Sequence, residues 1–124
     1  MNVMFKSKSR KITVTGKGHH LEAYNAEKKI NKIRQKFNQV KDMVDEKANE
    51  TAVCYREEIK FVPNNNECRW EAKHESGINL FVIAISRIGK KWVFRIFSHE
   101  KGCWENSKDL GHKSLCSTLE LQLQ

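Results

Sequence analysis

The chain has 124 residues, of which 39% are hydrophobic and 31% are charged, and this balance excludes a disordered chain. Its length is usual for one domain that buries a core without disulfides, so we predict a single domain over residues 1–124. The longest apolar run, Leu80–Ile85, is far too short to span a bilayer as a helix, so no membrane-spanning helix is expected in this sequence.

The N-terminal third of the chain carries the whole excess of positive charge. Of the net charge of +8, residues 1–41 supply +9, from eleven Lys or Arg and two Glu, and residues 42–124 supply −1, from twelve basic and thirteen acidic side chains. A one-sided field of this kind attracts polyanions and neutralises phosphates. It favours nucleic acid as the partner, with enhanced solubility or an acidic protein surface as the alternatives.

A basic arm with a short hairpin is predicted for residues 1–24. Ile12–Thr15 alternates and is rich in β-branched residues, which predicts a strand. Gly16–Gly18 is a turn signal, and His19–Tyr24 is predicted to return as a second strand. The paired histidines at its start can bind metal or titrate near neutrality, but polar turn residues are the preferred interpretation.

An amphipathic helix is predicted for residues 25–48, with Asn25 as its N-cap and Glu27 in its first turn. Its apolar stripe has alternating spacings of three and four residues and consists of Ile30, Ile33, Phe37, Val40 and Val44. A solvent-facing basic ridge away from that stripe consists of Lys28, Lys29, Lys32 and Lys36. Because the helix dipole disfavours cations at a helix start, the ridge indicates binding rather than helix stability.

An antiparallel β-meander is predicted for residues 51–98. Its first strand is Val53–Val62, followed by a loop at Pro63–Asn66. Apolar and charged residues alternate over Cys68–Lys73, which indicates a half-buried strand. The remaining strands are Ile78–Ser86, which is apolar on both faces and therefore central, and Trp92–Phe97.

The predicted fold is therefore α+β: one long amphipathic helix packed on an antiparallel β-meander of about four to five strands, with a short N-terminal hairpin. Residues 99–124 form a C-terminal tail, in which Trp104–Gly111 is polar and turn-like. Within that tail, Ser114–Leu123 is predicted to be either a short helix or an edge strand.

Cytoplasm is the predicted compartment, because residues 1–10 lack the apolar stretch of a signal peptide. The cysteines are then expected to be reduced thiols or metal ligands. Two His/Cys pairs have spacings that suit zinc: His99, Cys103, His112 and Cys116. The preferred alternative is a pair of buried cysteines and a pair of surface histidines, because this order matches no common zinc finger.

A second cluster combines aromatic and basic residues around the predicted turn Arg87–Lys91. Trp92 and Arg95 follow this turn, and Arg69 and Trp70 lie on the predicted neighbouring strand. Exposed aromatic rings on a sheet stack bases, and adjacent cations hold phosphates. The preferred alternative places the tryptophans in the core, whereas the two lysines of the turn are exposed on either interpretation.

A third cluster suits acid–base chemistry on a phosphate, with Glu71, Arg95 and His99 as the candidate catalytic residues. Arg69, Glu71 and Lys73 are predicted to share one sheet face by alternation. The order of helix, three-stranded meander and basic strand end resembles the RelE-type toxin ribonucleases over roughly residues 25–100. Gly77–Phe81 stands where such toxins place an arginine, so the resemblance is architectural, and solvated surface charge is the preferred interpretation.

Together these patterns predict a small basic nucleic-acid-binding protein that contacts the phosphate backbone through its arm and helix, with RNA slightly favoured over DNA. The alternatives are a RelE-like metal-independent endoribonuclease and a phage or mobile-element inhibitor or adaptor that docks on an acidic protein surface. No membrane partner and no cofactor other than zinc are expected. The predicted nucleic-acid contacts are Lys6, Lys8, Arg10, Lys11, Lys17, Lys28, Lys29, Lys32, Lys36, Lys90 and Lys91.

Overall fold

The computed structural model of the protein describes residues 16–74 and 76–124, and the side chains within them from Ala26 onward. Its first helix, α1 (Gly16–Val53), runs across the boundary between two structural units, Met1–Lys32 and Ile33–Gln124. The described part of the second unit continues with β1 (Phe61–Asn64), β2 (Arg69–Lys73), β3 (Asn79–Ile88), β4 (Lys91–Ser98), β5 (Cys103–Asn106) and α2 (His112–Leu123). The predicted α+β class is confirmed, whereas folding as one domain stays a prediction.

The start of α1 differs from the prediction. His19–Tyr24 is helical, so the predicted return strand of a hairpin and the N-cap at Asn25 were wrong. Leu, Glu and Ala in this stretch are good helix formers, and an isolated two-stranded hairpin is only marginally stable in water. The other predicted strand, Ile12–Thr15, lies outside the described residues. The helix dipole disfavours cations only in the first turn, and α1 begins at Gly16. Lys28 and Lys29 lie in the helix interior, so the destabilisation predicted for them does not apply.

The end of α1 also lies beyond the predicted boundary. Its apolar stripe continues at four-residue intervals through Val44, Ala48 and Ala52, which are all fully buried. The predicted strand Val53–Val62 was therefore wrong over most of its length. None of the described helical segments combines the length and the apolarity needed to cross a membrane.

The sheet of the second unit is antiparallel and has the order β1-β2-β3-β4-β5. The predictions of β3 as the central strand and of β2 as a half-buried strand are confirmed, with Trp70 and Ala72 buried. Pro63, which was predicted in a loop, belongs to β1, because an edge strand tolerates a residue without an N–H. In the tail, residues 103–106 form β5 rather than a turn, and residues 114–123 are helical.

Both helices of the second unit pack on one face of the sheet, which we call the helix face. Phe37 of α1 and Leu119 of α2 belong to the same buried cluster as Trp70 and Phe94 of the sheet. The helices also contact each other, because Thr51 Oγ1 donates a hydrogen bond to Cys116 Sγ at 3.3 Å. Alternate residues of the strands therefore point to the opposite face, away from both helices.

Asn49 of α1 is bonded to the backbone of the edge strand β1. Its Nδ2 donates to the carbonyl oxygen of Phe61 at 3.2 Å, and its Oδ1 accepts from the N–H of Phe61 at 2.7 Å. The carboxamide thus makes the two bonds that a neighbouring strand would make. This pair fixes α1 to β1.

Candidate nucleic-acid interface

Cations converge at the end of the sheet where β3 turns into β4. The turn contains Gly89, whose φ of 64° favours glycine and brings Lys90 and Lys91 directly after it. Lys36 Nζ of α1 lies 5.7 Å from the ring centroid of Trp92. The guanidinium carbon of Arg87 lies 5.9 Å from the same centroid. We call Lys36, Arg87, Lys90 and Lys91, together with Trp92, the basic edge.

The cations of the basic edge carry uncompensated charge. Within residues 33–74 and 76–124, none of them forms a salt bridge. The pKa of the Asp109 carboxyl is lowered first by hydrogen bonds from Ser114 and the Gly111 backbone, and the charge of Lys91 contributes less. Arg34 differs, because it donates to the carbonyl of Asn65 at 2.9 Å and thereby serves the fold. The basic edge is thus available to an anion, for which cation–π contacts with Trp92 hold two of the cations in place.

The other predicted lysines belong to the first unit or lie outside the described residues. Lys28, Lys29 and Lys32 are exposed on α1, as the basic ridge predicted. Lys17 lies in the helix, and nothing is described of its side chain. The predicted contacts Lys6, Lys8, Arg10 and Lys11 lie outside the described residues.

The sheet face opposite the helices, which we call the open face, carries two cross-strand rows of side chains. One row consists of Glu71, Val82, Phe97 and Trp104, and the next consists of Arg69, Ala84, Arg95 and Asn106. The side chains of both rows are half-buried or exposed, whereas Val93, farther along β4 on the same face, is buried. The shared face predicted for Arg69 and Glu71 is confirmed, whereas the register of β2 with β3 shifts between Ala72 and Lys73.

Aromatic rings and one arginine form a contiguous group on the open face. The ring centroids of Phe97 and Trp104 are 4.8 Å apart with a 43° tilt, and His99 meets Phe97 edge-on at 4.8 Å. The guanidinium carbon of Arg95 lies 4.7 Å from the Trp104 centroid. Asn106 Oδ1 accepts a hydrogen bond from Arg95 Nε at 3.2 Å and orients the guanidinium. We call Arg95, Phe97, His99 and Trp104 the aromatic platform.

The candidate catalytic residues share the open face but have separate partners. Glu71 is paired with Arg69 at 2.8 Å, and Val82 and Phe97 occupy the row beyond it. Arg95 is bonded to Asn106, and His99 contacts Phe97. The three candidate residues therefore contact other side chains and do not contact one another as a general base and a general acid around one phosphate would. The endoribonuclease hypothesis stays a prediction.

The predicted zinc ligands are likewise placed apart. His99 lies against Phe97 on the open face, whereas Cys103 Sγ faces Gln122 Oε1 at 3.9 Å on the helix side. Cys116 accepts a hydrogen bond from Thr51, and His112 is exposed in the first turn of α2. Among the described residues, no three His, Cys, Asp or Glu side chains are grouped so that they could hold a metal ion. Zinc binding stays a prediction that rests on spacing alone.

Comparison with known proteins gives no relative: no family model matches the chain, and no curated protein or solved structure shows significant similarity to it.

Sequence reasoning missed the aromatic platform because it assigned Trp104 to a turn. The signal was nevertheless present, since Gly102, with a φ of 68°, follows β4 by a few residues and marks a tight hairpin. After that turn comes Trp104, an aromatic residue of the kind that favours strands, although Cys103–Asn106 shows no alternation of polarity. The contact of Lys36 with Trp92 had no such signal, because it joins a helix to a distant strand.

Proposed function

We propose that the protein binds nucleic acid, with RNA slightly favoured over DNA as the ligand, mainly through the phosphate backbone. The observation that carries this proposal is the basic edge, where Lys36, Arg87, Lys90 and Lys91 converge and form no ion pair among the described residues. Clustered cations repel one another, and a polyanion relieves that repulsion while it releases its own counterions.

Further phosphate contacts are expected from the first unit. Lys28, Lys29 and Lys32 are exposed, and the arm adds the predicted contacts Lys6, Lys8, Arg10, Lys11 and Lys17. Lysine is a flexible point charge, and backbone contacts carry no sequence information. The proposed binding is therefore steeply salt-dependent and discriminates weakly between sequences.

The test is a binding titration of the full, nuclease-treated chain against labelled single- and double-stranded RNA and DNA, over salt from about 50 to 200 mM. For a single strand each phosphate contact contributes about 0.7 to the slope of log K against log salt. The double variant Lys90→Ala/Lys91→Ala should flatten that slope by about 1.4. The matched variant Lys90→Arg/Lys91→Arg keeps both charges and should keep the slope.

The triple variant Lys28→Ala/Lys29→Ala/Lys32→Ala examines the first unit separately, and it should flatten the slope by about 2. All variants should keep the helix and sheet signals of the wild type, because these side chains are exposed. Absence of binding at the lowest salt would refute the proposal. An unchanged slope in the Lys90/Lys91 variant would remove the basic edge from it.

A further inference from the structure

The open face differs from an ordinary solvated sheet face by its exposed aromatic surface. Trp104 is 45% exposed, although a tryptophan side chain is large and usually packed. It lies beside Phe97 in the same cross-strand row, and His99 extends the group on the other side of Phe97. The rings thus form a group of adjacent π surfaces, inclined to one another, on the face that the helices leave free, and Trp104 is its most exposed indole or phenyl ring.

The charge around this π surface is positive. Among the described residues of this face, Arg69 is paired with the carboxylates of Glu71 at 2.8 Å and Glu67 at 2.9 Å, so the unpaired positive charge beside the rings is that of Arg95. Arg95 forms no salt bridge among the described residues, and its bond to Asn106 uses only Nε. A ligand that offers both flat aromatic groups and negative charge matches this arrangement better than an apolar protein surface does.

Unpaired nucleobases on a phosphate backbone have both properties. In a duplex the base faces are stacked on each other and are inaccessible, whereas in a single strand they can stack on aromatic side chains or on an arginine plane. Such stacking tolerates any sequence, because every base has a π face. This agrees with backbone contacts that discriminate weakly.

We propose that the aromatic platform stacks unpaired bases, so that the protein selects single-stranded over double-stranded nucleic acid. This inference rests on the proposed function, and it adds the class of nucleic acid that the protein selects. Phe97 and Trp104 supply the stacking surface, and Arg95 supplies either a stacking plane or a phosphate contact beside it. The basic edge then contributes affinity for any polyanion, and the aromatic platform contributes the preference for unpaired strands.

The experiment measures the affinity of the full chain for one RNA sequence, presented as a single strand and as a duplex, at fixed salt. Trp104→Ala should weaken single-strand binding by about 5- to 100-fold, the range for loss of one stacking ring. Duplex binding and the salt slope should be unchanged. Trp104→Phe retains a ring and should retain most of the affinity, while Leu121→Ala removes a similarly exposed apolar group, 53% exposed, from α2 and should change nothing.

Trp104→Thr is a second variant without a ring. It is included because threonine favours strands, so β5 should form even if alanine impairs it. Equal losses for single strand and duplex, or no loss in a folded ring-free variant, would overturn the inference. If the variant Lys90→Ala/Lys91→Ala binds nucleic acid more weakly than the wild type in the same series, the proposed function still holds even though the inference about the aromatic platform fails. A dimer of the wild type that Trp104→Ala dissociates would assign the open face to a second copy and would also overturn it.

Discussion

Trp70 combines close packing with a buried N–H that has no partner, and the substitution Trp70→Phe separates the two effects. The side chain is fully buried, with its ring 4.6 Å from that of Phe37 and edge-on to Phe94 at 6.3 Å. No acceptor among the described residues bonds its Nε1. Phenylalanine keeps a ring at this position but removes the N–H and part of the apolar surface.

The two effects of Trp70→Phe have opposite signs. Loss of about two buried ring carbons and the resulting cavity destabilises by about 1.5–3 kcal/mol. Removal of a buried unsatisfied donor restores about 1–3 kcal/mol. The expected change in the free energy of unfolding is therefore within about 2 kcal/mol of zero, whereas Trp70→Ala should lose about 3–5 kcal/mol.

Urea unfolding followed by circular dichroism measures both variants, with Phe81→Leu as the control. Phe81 is equally buried, and its replacement shrinks a ring without removing a polar atom, so it should lose about 1–2 kcal/mol. A loss above about 3 kcal/mol for Trp70→Phe would refute the reasoning, because it would mean that Nε1 makes a stabilising hydrogen bond.

Two further predictions concern the segment between β5 and α2. Ser107 Oγ accepts a hydrogen bond from the N–H of Phe94 and donates one to the carbonyl of Asp109, both at 2.7 Å. Ser107→Ala should therefore lower the free energy of unfolding, measured in urea, by about 1–3 kcal/mol. The control Ser117→Ala, on the exposed surface of α2, should lower it by less than about 0.5 kcal/mol. A negligible effect of Ser107→Ala would show that the Phe94 N–H needs no partner. The pKa of Asp109 is lowered from its ordinary 3.8 by hydrogen bonds from Ser114 and Gly111, so its contribution to stability is present above that pH and is lost as pH falls through the folded pKa. The difference in Tm between wild type and Asp109→Asn should therefore shrink below about pH 4, and a difference that grows on acidification would contradict it.

The central strands were predictable because their patterns are set by local burial. Alternation fixed the faces of Trp70 and Ala72, and an apolar run marked β3 as central. The helix stripe through Phe37 and Val44 was equally clear. Element ends were less predictable, because tertiary contacts decide them: Thr51 and Ala52 remain helical where α1 meets the core and α2.

The candidate interface was predictable only in part. Glycine at position 89 marked the turn that presents Lys90 and Lys91, so these residues followed from sequence. The contacts of Lys36 and Arg87 with Trp92 depend on how α1 crosses the sheet, and no spacing encodes that crossing. The pairing of Phe97 with Trp104 depends on a hairpin register that is only visible once β5 is placed.

The bonds between Asn49 and Phe61 have a consequence for the behaviour of the protein at high concentration. An unpaired edge strand is a template on which another chain can add a strand, and such addition leads to aggregation. At β1 the carboxamide already occupies the N–H and carbonyl of Phe61, and Pro63 offers no N–H at all. An incoming strand would find Phe61 already bonded and no N–H donor at Pro63, so α1 and Pro63 together disfavour growth of the sheet from one molecule to the next at this edge.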